Sequence, residues 1–212
     1  MSTRTSFYIQ AALILLSIFL GVYFYPLLPE RIASHWGADG AVNGYTSKFW
    51  GLFLMPCLMV FMIALFAILP AIDPLKKNVV EFRKYYNLLV TGIIGFLFYV
   101  NMLTLFWNTG EKFSMTAAIM IPLAGLWYLI GAMLPKTKQN WFMGIRTPWT
   151  LADEGVWDKT HVLGGKVFRA SSGFILLGAV FPSLLWLFFI AIIFSALVPV
   201  VYSYVLFSKK PQ

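Results

Sequence analysis

Long apolar runs separated by short polar ones dominate the chain, and the lengths of the runs predict membrane-crossing helices. Crossing about 30 Å of hydrocarbon at about 1.5 Å per residue takes about 20 mostly apolar residues. Four runs meet that length: Phe7 to Tyr25, Phe49 to Leu69, Tyr86 to Trp107 and Phe113 to Leu134. From Ala170 to Phe207 the chain then carries no Asp, Glu, Lys or Arg. One straight helix of that length would overshoot the bilayer, so the pattern predicts a hairpin that turns at Pro182-Ser183. Its arms are a short fifth span from about Lys166 to Phe181 and a sixth from about Leu184 to Leu206. The fifth is long enough only if Lys166 and Arg169 snorkel to the interface.

Composition agrees with this solvent. Hydrophobic residues make up 60% of the chain and charged ones 11%, against roughly 25% charged in soluble domains. None of the eight acidic residues lies inside a long apolar run. The net charge of +8 therefore belongs to the polar segments, where it reads as the Lys and Arg bias that orients spans rather than as a nucleic-acid surface. Six spans with both ends cytoplasmic put thirteen of the sixteen basic residues inside, leaving only Arg31, Lys48 and Lys112 outside. The first run resembles a signal peptide but lacks a small-x-small site before Pro26, so a retained first helix is expected. Cys57, the one cysteine, sits in an apolar run and is expected to pack as a small hydrophobe.

The expected fold class is thus an all-α integral membrane protein of six transmembrane helices. Its organisation divides into residues 1–48 (first span plus outer loop), 49–134 (spans two to four), 135–166 (inner loop with an interfacial helix) and 167–212 (the last hairpin and a basic tail). Tyr23, Tyr25, Trp50, Tyr85, Tyr86, Trp107 and Trp141 stand near the expected interfaces as anchoring rings. Pro56 and Pro122 are expected to kink spans two and four.

Intramembrane chemistry would need ionisable groups inside the bundle, and no span interior carries one by this assignment. Asn101, in span three, reads as an interhelical hydrogen-bonding group. His35 and His161 fall on opposite faces, so no metal site is expected, and no HExxH, GxSxG, CxxC or phosphate-cradling glycine loop is present. No cofactor is expected, and the reading is of a non-enzyme.

Two polar segments remain. The outer one, LPERIASHWGADGAVNGYTSK (Leu28 to Lys48), has a turn signal at Asn43-Gly44, with His35-Trp36 near the headgroups. It is either an interfacial loop anchored by a Trp or a recognition surface. The inner one is GIRTPWTLADEGVWDKTHVLGGKVF, residues 144–168. Pro148 holds Thr147 extended, and Thr150 is expected to cap a short helix from Leu151 to about Leu163 that Gly164-Gly165 ends or bends. Leu151, Trp157 and Val162-Leu163 would anchor that helix to the membrane surface, with Arg146 close enough to stack on Trp149. The segment is either a folded linker or a docking surface for a cytoplasmic partner.

The inner block resembles the signature of the SdpI family of bacterial membrane proteins, with Gly144, Arg146, Thr147, Pro148, Trp149, Thr150, Trp157 and Gly165 at the signature positions. The outer block is similar to the conserved N-terminal block of that family. The resemblance implies an immunity protein of the cell membrane that protects against a secreted peptide toxin. It also implies a signalling role, in which the toxin-bound protein holds a cytoplasmic winged-helix repressor at the membrane, with no direct contact to nucleic acid. The candidate ligand or partner residues are His35, Trp36, Gly44 and Lys48 outside, and Gly144, Arg146, Thr147, Pro148, Trp149, Thr150, Glu154, Trp157, His161 and Gly165 inside. The alternative is a transporter or exporter of a small hydrophobic compound, which would need a cavity at the bilayer midplane.

Overall fold

The computed structural model describes residues 1–210. Along the chain run α1 (Thr3–Phe24), β1 (Arg31–Trp36), β2 (Val42–Ser47), α2 (Lys48–Ile72), α3 (Lys76–Glu81), α4 (Arg83–Asn108), α5 (Met115–Met133), α6 (Pro148–Ala152), α7 (Glu154–Val180) and α8 (Trp186–Ser208). Six of these, α1, α2, α4, α5, α7 and α8, are long and apolar enough to cross a membrane. Five of them coincide with expected spans, whereas α7 begins twelve residues before the Lys166 start expected of the fifth; a single 3-10 turn at Pro182–Leu184 joins α7 to α8 where the turn is expected. Pro56 and Pro122 lie within uninterrupted α2 and α5.

The helices pack inside out relative to a soluble bundle. In α1 the buried residues are Ser6, Gln10, Ser17 and Gly21, while Phe7, Leu15, Phe19 and Val22 face outward. In α8 the buried stripe is Ala191, Ser195, Pro199 and Ser203, one residue per turn. Lipid tails are as apolar as Leu, so helix association gains from close approach and hydrogen bonds rather than from burying hydrocarbon. Those bonds are present. Asn101 Nδ2 donates to Ser17 Oγ at 2.6 Å, as expected for a polar group in span three. Gln10 Nε2 donates to Thr91 Oγ1 at 2.9 Å, and Trp127 Nε1 to Ser195 Oγ at 3.1 Å.

Two three-helix groups result, α1 with α2 and α4, and α5 with α7 and α8, joined where α4 meets α5. One end of the bundle carries the β1–β2 hairpin. The other carries α3, α6 and residues 1 and 210; these are called the hairpin end and the terminus end below.

Three local features differ from expectation. Residues 31–47 form an antiparallel hairpin within an otherwise helical fold, pairing Arg31 with Ser47 and Trp36 with Val42. Its turn is not at Asn43-Gly44, which lie in β2, but at residues 37–41, where Gly40 takes φ +80° and Asp39 Oδ1 accepts the Ala41 N–H at 3.0 Å. Gly44 instead provides space for the opposite strand, since a Cβ there would stand 2.8 Å from His35 Cβ.

The other two differences concern the inner block. Thr150 does not cap a helix; Thr147 caps α6 and Asp153 caps α7. Nor do Gly164 and Gly165 end or bend a surface helix, because α7 runs unbroken from Glu154 to Val180 and the 166/167 boundary falls inside it. The glycines serve contact. A Cβ on Gly165 would meet Gly131 O and Pro135 Cγ at 2.7 Å, and one on Gly164 would meet Ile145 Cδ1 at 2.4 Å. Glycine costs a helix interior about 1 kcal/mol against Ala, and here that cost is offset by backbone-to-backbone packing of α7 on α5.

Candidate functional site: a polar cap at the terminus end

Residues 134–153 fold back over the end of α5 and the first turns of α7. Their path is set by side chains that substitute for regular secondary structure. Asn140 Oδ1 accepts the Phe142 and Met143 N–H groups at 3.0 and 2.7 Å, while its Nδ2 donates to Lys138 O and Met143 O. Gly144 then takes φ +109°, which turns the chain toward α7. The next amide, Ile145 N–H, donates to His161 Nε2 at 3.0 Å.

That bond fixes the imidazole. A ring nitrogen that accepts from a backbone N–H carries no proton, so the proton is on Nδ1, 2.8 Å from the Trp157 carbonyl it donates to. The ring is therefore neutral. It stacks on the indole of Trp157, centroids 4.0 Å apart and planes 20° apart, and Trp157 Nε1 donates to Thr137 O at 3.1 Å. Trp157 is fully buried, so it is the keystone of the cap and not the membrane-surface anchor expected of it.

Thr147 and Thr150 form a reciprocal capping box. Thr150 N–H donates to Thr147 Oγ1 at 3.2 Å and Thr147 N–H to Thr150 Oγ1 at 2.9 Å. Gln139 Nε2 closes the other end of α6 by donating to Thr150 O and Leu151 O. The cap is tied outward in three directions. Thr147 Oγ1 and Ser203 Oγ stand 3.0 Å apart, joining it to α8. Asp73, at the end of α2, accepts the Trp141 N–H at 3.0 Å, and Asn78 Nδ2 of α3 donates to Gln139 O at 2.8 Å. Asp153 accepts the Val156 N–H and pairs with the Lys210 ammonium. Lys210 first and the Val156 N–H second hold the Asp153 carboxyl below its usual range.

Six of the ten inner candidates, Gly144, Thr147, Thr150, Trp157, His161 and Gly165, are thus the cap's internal frame. Arg146, Pro148 and Glu154 are exposed, and Trp149 is half-buried against Tyr204, 5.1 Å between centroids. Arg146 does not stack on Trp149; its Nη1 donates to Trp141 O at 2.8 Å. Asp73, Asn78 and Asn140 were not singled out in the sequence. Asp73, which precedes Pro74, and Asn140 carry local turn signals, and Asn78 carries none.

At the hairpin end, His35, Trp36 and Gly44 come together near the turn. His35 is exposed and its Nδ1 hydrogen bonds to Asn43 Oδ1. Trp36 is half-buried, edge-on to Trp107 with centroids 5.5 Å apart. Lys48 lies apart, at the base of the hairpin, paired with Glu30 at 2.8 Å and held over the Tyr25 ring. A residue missed in the sequence, Asn108 at the end of α4, docks the hairpin: its side-chain amide accepts the Ala33 N–H at 2.8 Å and donates to Ala33 O at 3.0 Å.

Six apolar helices with structured polar assemblies at both ends define a multi-pass integral membrane protein, largely helical, of the cell membrane. Residues 136–203, which contain the whole cap from Thr137 onward, match the model of the SdpI/YfhL protein family. Residues 12–60, spanning most of α1, the hairpin and the start of α2, match a domain of unknown function, DUF1648. The chain is 27% identical over 160 residues to the immunity protein SdpI of Bacillus subtilis (strain 168), covering 75% of this chain and 74% of that protein. No solved structure matches the chain.

Proposed function

We propose that this protein is a membrane immunity protein that protects its cell against a secreted peptide toxin. The observation that carries the reading is the similarity to the immunity protein SdpI, which extends over three quarters of both chains. In this reading the terminus end faces the cytoplasm, in keeping with the thirteen basic residues found there against three at the hairpin end. His35, Trp36 and Gly44 form the outward surface that meets the peptide, with Lys48 bracing its base. Arg146, Pro148, Trp149 and Glu154 form the inward surface that recruits a cytoplasmic winged-helix repressor when toxin is bound. The internal frame built on Trp157 and His161 fixes that surface's shape. A toxin that binds one packing of the bundle more tightly than another shifts the population and so changes the surface on the far side. The role is one of binding rather than catalysis.

Expression in a toxin-sensitive bacterium tests the reading. Cells carrying the chain survive a peptide that kills the parent strain, Trp36→Ala cells lose that protection, and Arg146→Ala cells keep it while losing repressor recruitment. Absence of protection by the unmutated chain against every candidate peptide sinks the immunity role. Failure to recover a repressor by pull-down in the presence of an effective toxin sinks the signalling role alone.

A further inference from the structure

Along α7 one exposed stripe changes character. Near the terminus end, Asp158, Lys159, Val162, Leu163 and Lys166, with Tyr202 of α8, line a pocket of about 290 Å³. The same stripe continues three and four residues at a time through Ala170, Gly173, Phe174, Leu177 and Phe181, which line a groove of about 430 Å³ that is almost wholly apolar. Nothing lies within 4 Å of the space a Cβ on Gly173 would occupy, so the groove is open there.

Depth assigns the two halves. Gly165 packs on Gly131 and Pro135, where α5 ends, so Lys166 stands at the level at which the neighbouring span leaves the apolar layer. From Ala170 to Val180 the helix rises about 15 Å, half the thickness of a bilayer's hydrocarbon core. The polar pocket is thus at headgroup level, and the apolar groove below it runs along the span toward the turn at Pro182–Leu184. The pocket's two lysines outnumber its one carboxylate, leaving a net charge of +1 that complements a single phosphodiester, and both Asp158 and Tyr202 can pair with headgroup hydroxyls.

We propose that this stripe is a binding site for one anionic glycerophospholipid of the phosphatidylglycerol type. Its phosphate sits between Lys159 and Lys166, its headgroup hydroxyls meet Asp158 and Tyr202, and an acyl chain lies along Gly173, Phe174 and Leu177. The site is independent of any toxin or repressor.

Native mass spectrometry of the full chain released from nanodiscs tests it. In nanodiscs of mixed phosphatidylglycerol and phosphatidylethanolamine, the expected result is one phosphatidylglycerol retained per chain. Lys159→Gln with Lys166→Gln lowers retention at least tenfold, whereas Lys76→Gln with Lys77→Gln, which removes the same charge at the same end, leaves it unchanged. Gly173→Leu fills the open part of the groove on the exposed face of a helix and lowers retention with every lysine intact. Equal retention of phosphatidylethanolamine, equal loss in the two double variants, or full retention by Gly173→Leu overturns the assignment.

Discussion

Replacing Gly144 by Ala is the sharpest test of the cap. Two independent penalties fall on that position. The backbone is at φ +109°, a left-handed conformation that costs an L-residue about 1–2 kcal/mol. A Cβ there would also stand 2.5 Å from His161 Nε2 and 3.2 Å from the Trp157 ring. The imidazole has to move, which breaks the bond from Ile145 N–H and leaves a donor without its acceptor, at about 1–3 kcal/mol. Displacing the stacked, fully buried indole adds a further overpacking cost of about 1–3 kcal/mol. The sum is about 3–8 kcal/mol. Gly110 provides the control, because it has φ +115° but nothing near the place of its Cβ, so Gly110→Ala incurs the backbone cost alone. Thermal unfolding of the detergent-solubilised chain, followed by tryptophan fluorescence, should show a loss for Gly144→Ala at least twice that for Gly110→Ala. Equal losses would mean that the His161 and Trp157 contacts contribute nothing, and the account of the cap as a rigid frame would fail.

Further outcomes follow from other contacts. A double-mutant cycle between Ser17→Ala and Asn101→Leu should give a coupling of about 0.6–1.7 kcal/mol, the range for interhelical hydrogen bonds in lipid, and a coupling of zero would remove that bond from the account. Asn108→Ala takes away both partners of Ala33, and hydrogen exchange at the Ala33 amide should accelerate on the order of tenfold while exchange within α4 is unchanged. The Asp153 carboxyl is held below its usual range by Lys210 and Val156, so its contribution is complete above the unfolded value of about 3.9 and fades as pH falls through the lower folded value. Intrinsically corrected exchange at the Val156 amide should therefore be flat from about pH 5 to 8 and rise only at more acid pH, a step that Asp153→Ala abolishes.

Which parts of this molecule are legible in the chain depends on the range of the physics involved. The two glycines at 164–165 show the difference. Judged locally, a Gly pair after an amphipathic segment is a helix stop, and that judgement is sound for an isolated helix. In the fold Gly131, Pro135 and Ile145 occupy the space beside them, and the helix continues because its partners reward the absence of side chains. Trp157 makes the same point. An indole amid charged residues reads as a surface anchor, but Thr137, Gly144 and His161 close over it and make it the interior of the cap. Asn101, bonded to Ser17, is legible in the chain because a lone amide inside an apolar run has few options other than a neighbouring helix.

The six spans and their connecting turn were set by the chain alone, since hydrocarbon admits only segments that are long, apolar and internally hydrogen-bonded, a condition each run meets within itself. The end-to-end asymmetry of basic residues was equally local. The cap, the hairpin and the site surfaces were decided by tertiary structure. Asp73 meets Trp141 across 68 positions and Ala33 meets Asn108 across 75, and pairings so distant leave no periodic trace in a sequence.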